Sequence, residues 1–501
     1  VATTFQSFDP PATASSDAHT EVRTALVPSW MEISTLALLN IVYFFALTLG
    51  GRILDIINLA GPSFLIIVLG VGAARMLRGS VNTLWTPFFW VRISSIAYFG
   101  VGSVVPYIVN DETRQALNSF YFTFPDDVAH YNLVTGLFIL TVFVAFRAVS
   151  LLIAQQSRKA GTYLFNYVPE PCGIGNAPFA AICLGAGMIV RYLILLPHSF
   201  GLIESYVPAW LANVSQLALV GYYLGTLEML RRRPALVFAI VVLALLDFAT
   251  GLLEFSKTSA ILPLIMIIIA LVQHYRRLWV TGVLLAVIVA TFFSIAPVVT
   301  YGRAMLGKIN GTVFSGTLDQ RVAILQSYSP AAADVEMNSD IQGGWARLSY
   351  VAAGSFVIDQ YDAGRPGTTF KNAGFALIPR ILYPEKPNIT AVGTELSIAI
   401  NGNETSQIAA GWPPELYWNG GWALVILGAV LIGALFAALS LYTMAVLRHN
   451  SVHLLLAVLM GLRMGTRMDG FVVPDVFGAL PILIVAHLGL TFFNRLTFKR
   501  R

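Results

Sequence analysis

Long runs of apolar residues separated by short polar connections dominate the chain. Twelve of them approach the ~20 residues that a helix needs to cross a ~30 Å hydrocarbon core. They cover 32–49, 59–74, 87–109, 131–153, 177–197, 207–230, 234–255, 258–272, 279–300, 422–447, 451–467 and 477–493, with the second, eighth and eleventh on the short side. The runs are continuous and lack the period-two alternation of a membrane β-barrel. A helix satisfies its backbone groups within the segment, so helices are the expected spanning elements. The predicted fold class is an all-α polytopic membrane protein: a bundle of about 12 transmembrane helices with a large, partly helical extracytoplasmic loop.

That loop is the one place where the pattern fails. Between Tyr301 and Gly421 no span is predicted, yet 318–328 and 345–361 have helix-compatible apolar spacing, as in Leu348, Val351, Ala352 and Phe356. Connections this long are usually functional. The expected order is a disordered cytoplasmic tail (1–30), transmembrane helices 1–9 (31–300), an outer-face cap (301–421), helices 10–12 (422–494) and a basic cytoplasmic tail (495–501). The first 30 residues are rich in Ala, Thr, Ser and Pro and lack the basic and apolar regions of a signal peptide.

Composition removes the soluble alternatives. Of 501 residues, 56% are hydrophobic and 11% charged, where soluble domains carry about 25% charged residues. The formal net charge of +5 then reads as topology, not as affinity for nucleic acid. Arg75 and Arg78, Arg158 and Lys159, Arg231 to Arg233, Arg276 and Arg277, Arg448, and the terminal cluster from Arg495 fall at every second connection. Basic loops face the cytoplasm, so both termini are expected inside and the cap outside.

A few cations disobey this bias. Arg191, Lys257, Arg463 and Arg467 fall in the half of the membrane that the rule leaves poor in cations, and ionisable groups there face a partner or a cavity. Snorkelling to the surface or pairing with Asp247, Glu254 or Asp469 is one reading; a site holding an anion is the other. Arg92 and Glu228 read as interfacial, and most cations of the cap, Arg321 among them, as solvated. No zinc spacing, phosphate-cradling loop or dinucleotide fingerprint occurs, and 301–421 contains no histidine.

The end of the cap carries two motifs. Ile378-Pro379-Arg380-Ile381-Leu382-Tyr383-Pro384-Glu385-Lys386-Pro387 is followed by Gly411-Trp412-Pro413-Pro414-Glu415-Leu416-Tyr417-Trp418-Asn419-Gly420-Gly421, which leads into a span. With Ser256-Lys257-Thr258 and Arg347-Leu348-Ser349-Tyr350 earlier in the chain, this order resembles the bacterial oligosaccharide repeat-unit polymerases of the O-antigen and exopolysaccharide group. The resemblance implies a multi-pass glycosyltransferase of the bacterial inner membrane, acting at its outer face without nucleotide sugar, cofactor or obligatory metal. Its substrate would be oligosaccharide linked to undecaprenyl diphosphate, and a chain-length regulator its protein partner.

Such a reaction needs fixed positive charge on the diphosphate leaving group and a base for the acceptor hydroxyl. The expected diphosphate holders are Arg191, Arg347, Arg380 and Arg467, supported by Lys257 and Lys386. Glu415 is the expected base and Glu395 its competitor, because the cap lacks histidine; Trp412, Tyr417 and Trp418 are candidate stacking surfaces for sugars. Two other readings stand beside this one. An O-antigen ligase shares the general layout but relies on a histidine in its large outer loop. A secondary transporter or polysaccharide flippase would use Arg191 and Asp247 as a coupling pair.

Overall fold

The computed structural model describes residues 26–117, 121, 123–159, 170–203, 207–208, 210–234, 237–310, 316–330, 348–378, 383, 385–387, 392–402 and 408–498. Among these residues all regular structure is helical. In chain order the principal helices are α1 (Trp30–Leu49), α2 (Arg52–Gly79), α3 (Pro87–Ile108), α4 (Pro125–Lys159), α5 (Asn176–Ser199), α6 (Leu217–Arg232), α7 (Val237–Leu253), α8 (Lys257–Tyr275), α9 (Leu278–Asn310), α10 (Leu318–Ser327), α11 (Val351–Asp362), α12 (Val392–Asn401), α13 (Trp412–Arg448), α14 (Leu455–Gly465) and α15 (Ala479–Phe498).

Nine helices among the described residues are long and apolar enough to cross a membrane, the last of them joining α15 to the π-turn Val473–Phe477. Three expected spans are shorter than expected: α6 has 16 residues, α7 has 17 and α14 has 11. Local stops explain two of them. The chain leaves α7 through Phe255 at φ 49° and enters α8 at once, with Ser256 capping the amide of Ser259. α14 follows a 3-10 turn at Val452–Leu454 and ends at Gly465.

Other boundaries move outward. The second span, expected at 59–74, is the 28-residue α2, and the nine-residue loop before it shrinks to Gly50 and Gly51, both at positive φ. Asn58 is accommodated because its side chain donates to the carbonyl of Pro125 at 2.7 Å. At the other end α15 continues to Phe498, so 495–498 are helical and not a tail.

The chain divides into two compact units: Val1–Pro171 with Ala346–Phe493, and Cys172–Trp345 with Asn494–Arg501. The stretch 301–421, expected as one cap, is therefore shared between them, and its first ten residues complete α9. In the first unit α13 packs along α4, α11 packs on both, and α14 packs on α3. In the second, α6 packs on α5 and α8, and α8 is flanked by α7 and α9.

Three charged groups expected at surfaces are buried. Arg92 is fully buried, its guanidinium against the rings of Phe88 and Phe143 and bonded to Glu32, which Arg75 also reaches at 3.2 Å. Glu228 lies beneath Arg231 and Arg232 and accepts from Asn176. Arg321 is 2% exposed and donates to the carbonyls of Gly316, Leu253 and Ser199. The last two lie at the C-terminal ends of α7 and α5, so one cation serves two helix ends that lack intrahelical partners.

Candidate functional site

The polar centre of the first unit is built around the first two turns of α13. The helix starts at Trp412, whose amide donates to the carbonyl of Met468 at 3.1 Å. Pro413 and Pro414 follow in the first turn, where a missing N–H costs nothing. Glu415 comes next and is fully buried: Thr369 Oγ1 donates to one carboxylate oxygen at 2.8 Å and the amide of Val472 to the other at 2.6 Å. One turn on, Asn419 Nδ2 donates to Thr369 Oγ1 and to the carbonyl of Glu415, both at 2.8 Å.

One carboxylate thus ties together the 368–370 loop, the start of α13 and the 468–472 turn. This differs from the role expected for Glu415, because a base must reach substrate and both of its oxygens are sealed by protein donors. Glu395 is half-buried and accepts from Thr368, the neighbour of Thr369, so the two acids grip the same loop.

The expected stacking surfaces are also interior. Trp412, Tyr417 and Trp418 are 0%, 4% and 5% exposed. Trp418 Nε1 donates to the carbonyl of Arg365 at 3.2 Å, its own carbonyl accepts from the amide of Gly367, and the Tyr417 hydroxyl donates to Asp362 at 2.9 Å. Tyr417 and Trp418 hold the loop after α11 against α13, Trp412 stacks on Phe436, and none of the three offers a free face to a sugar.

The cations differ in what they hold. Lys386 donates to the carbonyls of Phe375 and Ile378 at 3.2 and 2.7 Å, which fastens its loop to the short helix Ala373–Ala376. Arg467, past the end of α14, is 49% exposed in its side chain and lies 3.9 Å from Asp475, which also accepts from the amide of Phe471. Beside it Asp469 accepts from Tyr350 at 3.2 Å. Burial pushes the Asp469 carboxyl above the usual range, and burial with Asp469 nearby pushes the Tyr350 phenol up. Arg347 and Arg380 lie outside the described residues.

Arg191 and Lys257 belong to the second unit. Arg191 Nε lies 3.0 Å from Asp247 and its terminal nitrogen 3.0 Å from Glu254. Tyr192 and Tyr222 both donate to Asp247 at 2.8 Å. This is the pairing alternative read from the sequence: two carboxylates neutralise the guanidinium, so Arg191 has no charge to spare for a diphosphate. Lys257 lies 5.2 Å from the ring centroid of Phe292.

One polar group went unnoticed in the sequence. His130, in the second turn of α4, places Nδ1 3.8 Å from Asp362 Oδ2 and its ring beside Tyr417 and Trp422. The segment 301–421 holds no histidine, but the fold delivers one to it. The sequence signal was Asp126 and Asp127 just ahead of His130 at the head of an apolar run. Comparison of the chain with protein-family models, curated proteins and solved structures gives no match.

Proposed function

We propose that the chain is a bacterial inner-membrane glycosyltransferase that polymerises oligosaccharide repeat units carried on undecaprenyl diphosphate, with both termini cytoplasmic and the polar centre of the first unit on the outer side. The observation that carries this reading is Arg467. It sits half-exposed near the buried floor made by Glu415, Thr369 and Asn419, with a loose contact to Asp475 and with Asp469 also beside it. Unlike Arg191, which is held by two acids at 3.0 Å, this arginine is half open to solvent and meets its paired carboxylate only at 3.9 Å, so it is suited to a diphosphate, whose oxygens match its planar fork of donors.

In this mechanism the acceptor hydroxyl attacks the anomeric carbon of the donor unit, and the bond to the diphosphate breaks as negative charge develops on the leaving group. Arg467 stabilises that charge; Arg347 and Arg380 join it by their place in the motifs. Glu415 acts as a positioning residue, since it fixes the turn that leads to Arg467 through the amide of Val472. Lys386 has the same kind of task in its own loop.

The test is polymer length in a null strain complemented with Arg467→Ala. Removal of one charge-stabilising donor is expected to cost about 10²–10³ in rate and to leave single repeat units in place of a ladder. Arg467→Lys restores part of the activity, because the charge survives and the fork does not. A wild-type ladder from Arg467→Ala at normal protein abundance removes the reading.

A second reading has its own observation. The close contact of Arg191 with Asp247 and Glu254 inside the second unit is the ion pair that a secondary transporter or flippase would use. Purified protein in detergent has no gradient to draw on. Extension of lipid-linked units there supports the polymerase, whereas gradient-dependent movement of the same lipid without extension supports transport.

A further inference from the structure

Three helices of the first unit converge on His130. Asp362, the last residue of α11, faces its Nδ1 at 3.8 Å. Tyr417 lies edge-on to the ring at 5.5 Å between centroids, and Trp422 lies tilted by 33° at 5.9 Å. In an unbroken helix, positions five apart diverge by roughly 140°, and Tyr417 and Trp422 would point away from each other. Non-helical dihedrals at Gly420 and Gly421 interrupt α13 between them, and the two rings meet at 5.1 Å. The break in α13 is what lets both rings reach one histidine.

The pair is also open. The side chains of His130 and Asp362 are 26% and 44% exposed, whereas Glu415 is sealed. Asp362 is itself held, since its other oxygen accepts from the Tyr417 hydroxyl at 2.9 Å. A histidine that faces a fixed carboxylate at 3.8 Å and is accessible from outside the protein has the arrangement of a general base with a charge partner behind it.

We propose that His130, with Asp362 as its charge partner, takes the proton of the acceptor sugar hydroxyl in the transfer reaction; this rests on the polymerase reading given above. The acceptor O–H bond breaks and its proton goes to His130 Nε2. The acceptor oxygen bonds to the donor's anomeric carbon. The bond from that carbon to the diphosphate oxygen breaks, and its electron pair leaves with the polyprenyl diphosphate. The Asp362 carboxylate, facing the opposite ring nitrogen, balances the imidazolium that forms. The titratable groups facing His130 are Asp362 from α11, Tyr417 from α13 and Asp127 on its own helix.

The experiment uses the full chain purified in detergent, with lipid-linked oligosaccharide extracted from cells lacking the protein. Rates are measured across pH for wild type, His130→Gln, His130→Ala and Asp362→Asn. His130→Gln is expected to lower kcat by about 10²–10⁴ with KM within a few-fold, and to abolish the low-pH limb of the rate profile. Added imidazole restores part of the activity of His130→Ala, which a merely structural role does not predict. Asp362→Asn, on an exposed side chain, lowers kcat less and moves the same limb. Wild-type turnover with an unchanged kcat and limb in His130→Gln overturns the base while leaving the polymerase reading intact. Failure of the wild-type protein to extend the units overturns both.

Discussion

Buried charge decides the most at the scale of single residues. Arg92 lies against two phenylalanine rings with Glu32 as its acid, and its desolvation is offset only while that acid is present. Glu32→Ala is expected to cost about 3–5 kcal/mol by leaving the buried Arg92 without its acid, whereas Arg92→Ala costs less because Arg75 still pairs with Glu32. Thermal melting in detergent measures the difference. Asp469 gives a pH signature. Burial raises its carboxyl in the folded protein, so the folded state holds that proton more tightly than the unfolded chain does. Stability therefore declines as pH rises from the ordinary aspartate range through the raised midpoint. Asp469→Asn, which can still accept from Tyr350, is expected to flatten this decline in melting temperature; an unchanged slope contradicts it. None of this was legible in the sequence, which gives depth along a helix but not the partner across it. Arg321 sat among cap cations that looked solvated and is a buried clamp. Glu415 sat in a motif and is sealed beneath it.

Among the elements, continuous apolar runs made the long helices visible, because length and hydropathy alone demand a membrane-spanning segment. Boundaries were harder to read. The sequence reading started a span at Trp422, after the glycine pair, but the helix begins ten residues earlier at Trp412 and is interrupted at the pair. Gly421 adopts φ 59° and ψ −155°, a region almost confined to glycine, and a Cβ there would meet the Tyr361 hydroxyl at 2.7 Å. Gly421→Ala is expected to destabilise by about 1–3 kcal/mol, read as a lower melting temperature. It should also reduce activity beyond that loss, since it disturbs the junction that aims Trp422 at His130. Equal activity per folded molecule would mean that the break has no part in the site. The helices α7 and α14 show the opposite effect: their apolar runs continue through a capped junction and a 3-10 turn that shorten the helix itself.

For the whole molecule, the candidate site was half legible. Motifs near its end pointed to the 301–421 region, and Arg467 was singled out by its place in the span pattern. The cations were grouped by depth in the spans and by place in the motifs, however, and neither tells which compact unit a residue belongs to. Arg191 and Lys257 belong to one compact unit and Arg467 and Lys386 to the other. Arg191→Gln should therefore act mainly on folded yield, by stranding Asp247 and Glu254, while Arg467→Ala acts on turnover at normal yield. Comparing polymer length with protein abundance for both variants separates these outcomes.

The triad of Glu32, Arg75 and Arg92 also constrains the order in which the protein is made. α1 and α2 emerge from synthesis before α3, and between them they bring one acid and one cation into contact. Arg92 arrives later on α3 and finds an acceptor already in place. A cation that would resist entry into lipid on its own can thus be drawn in by the hairpin before it. Glu32→Gln should delay or misdirect the insertion of α3 during biogenesis, seen as altered labelling of single cysteines placed at its two ends, even where the finished protein tolerates the change.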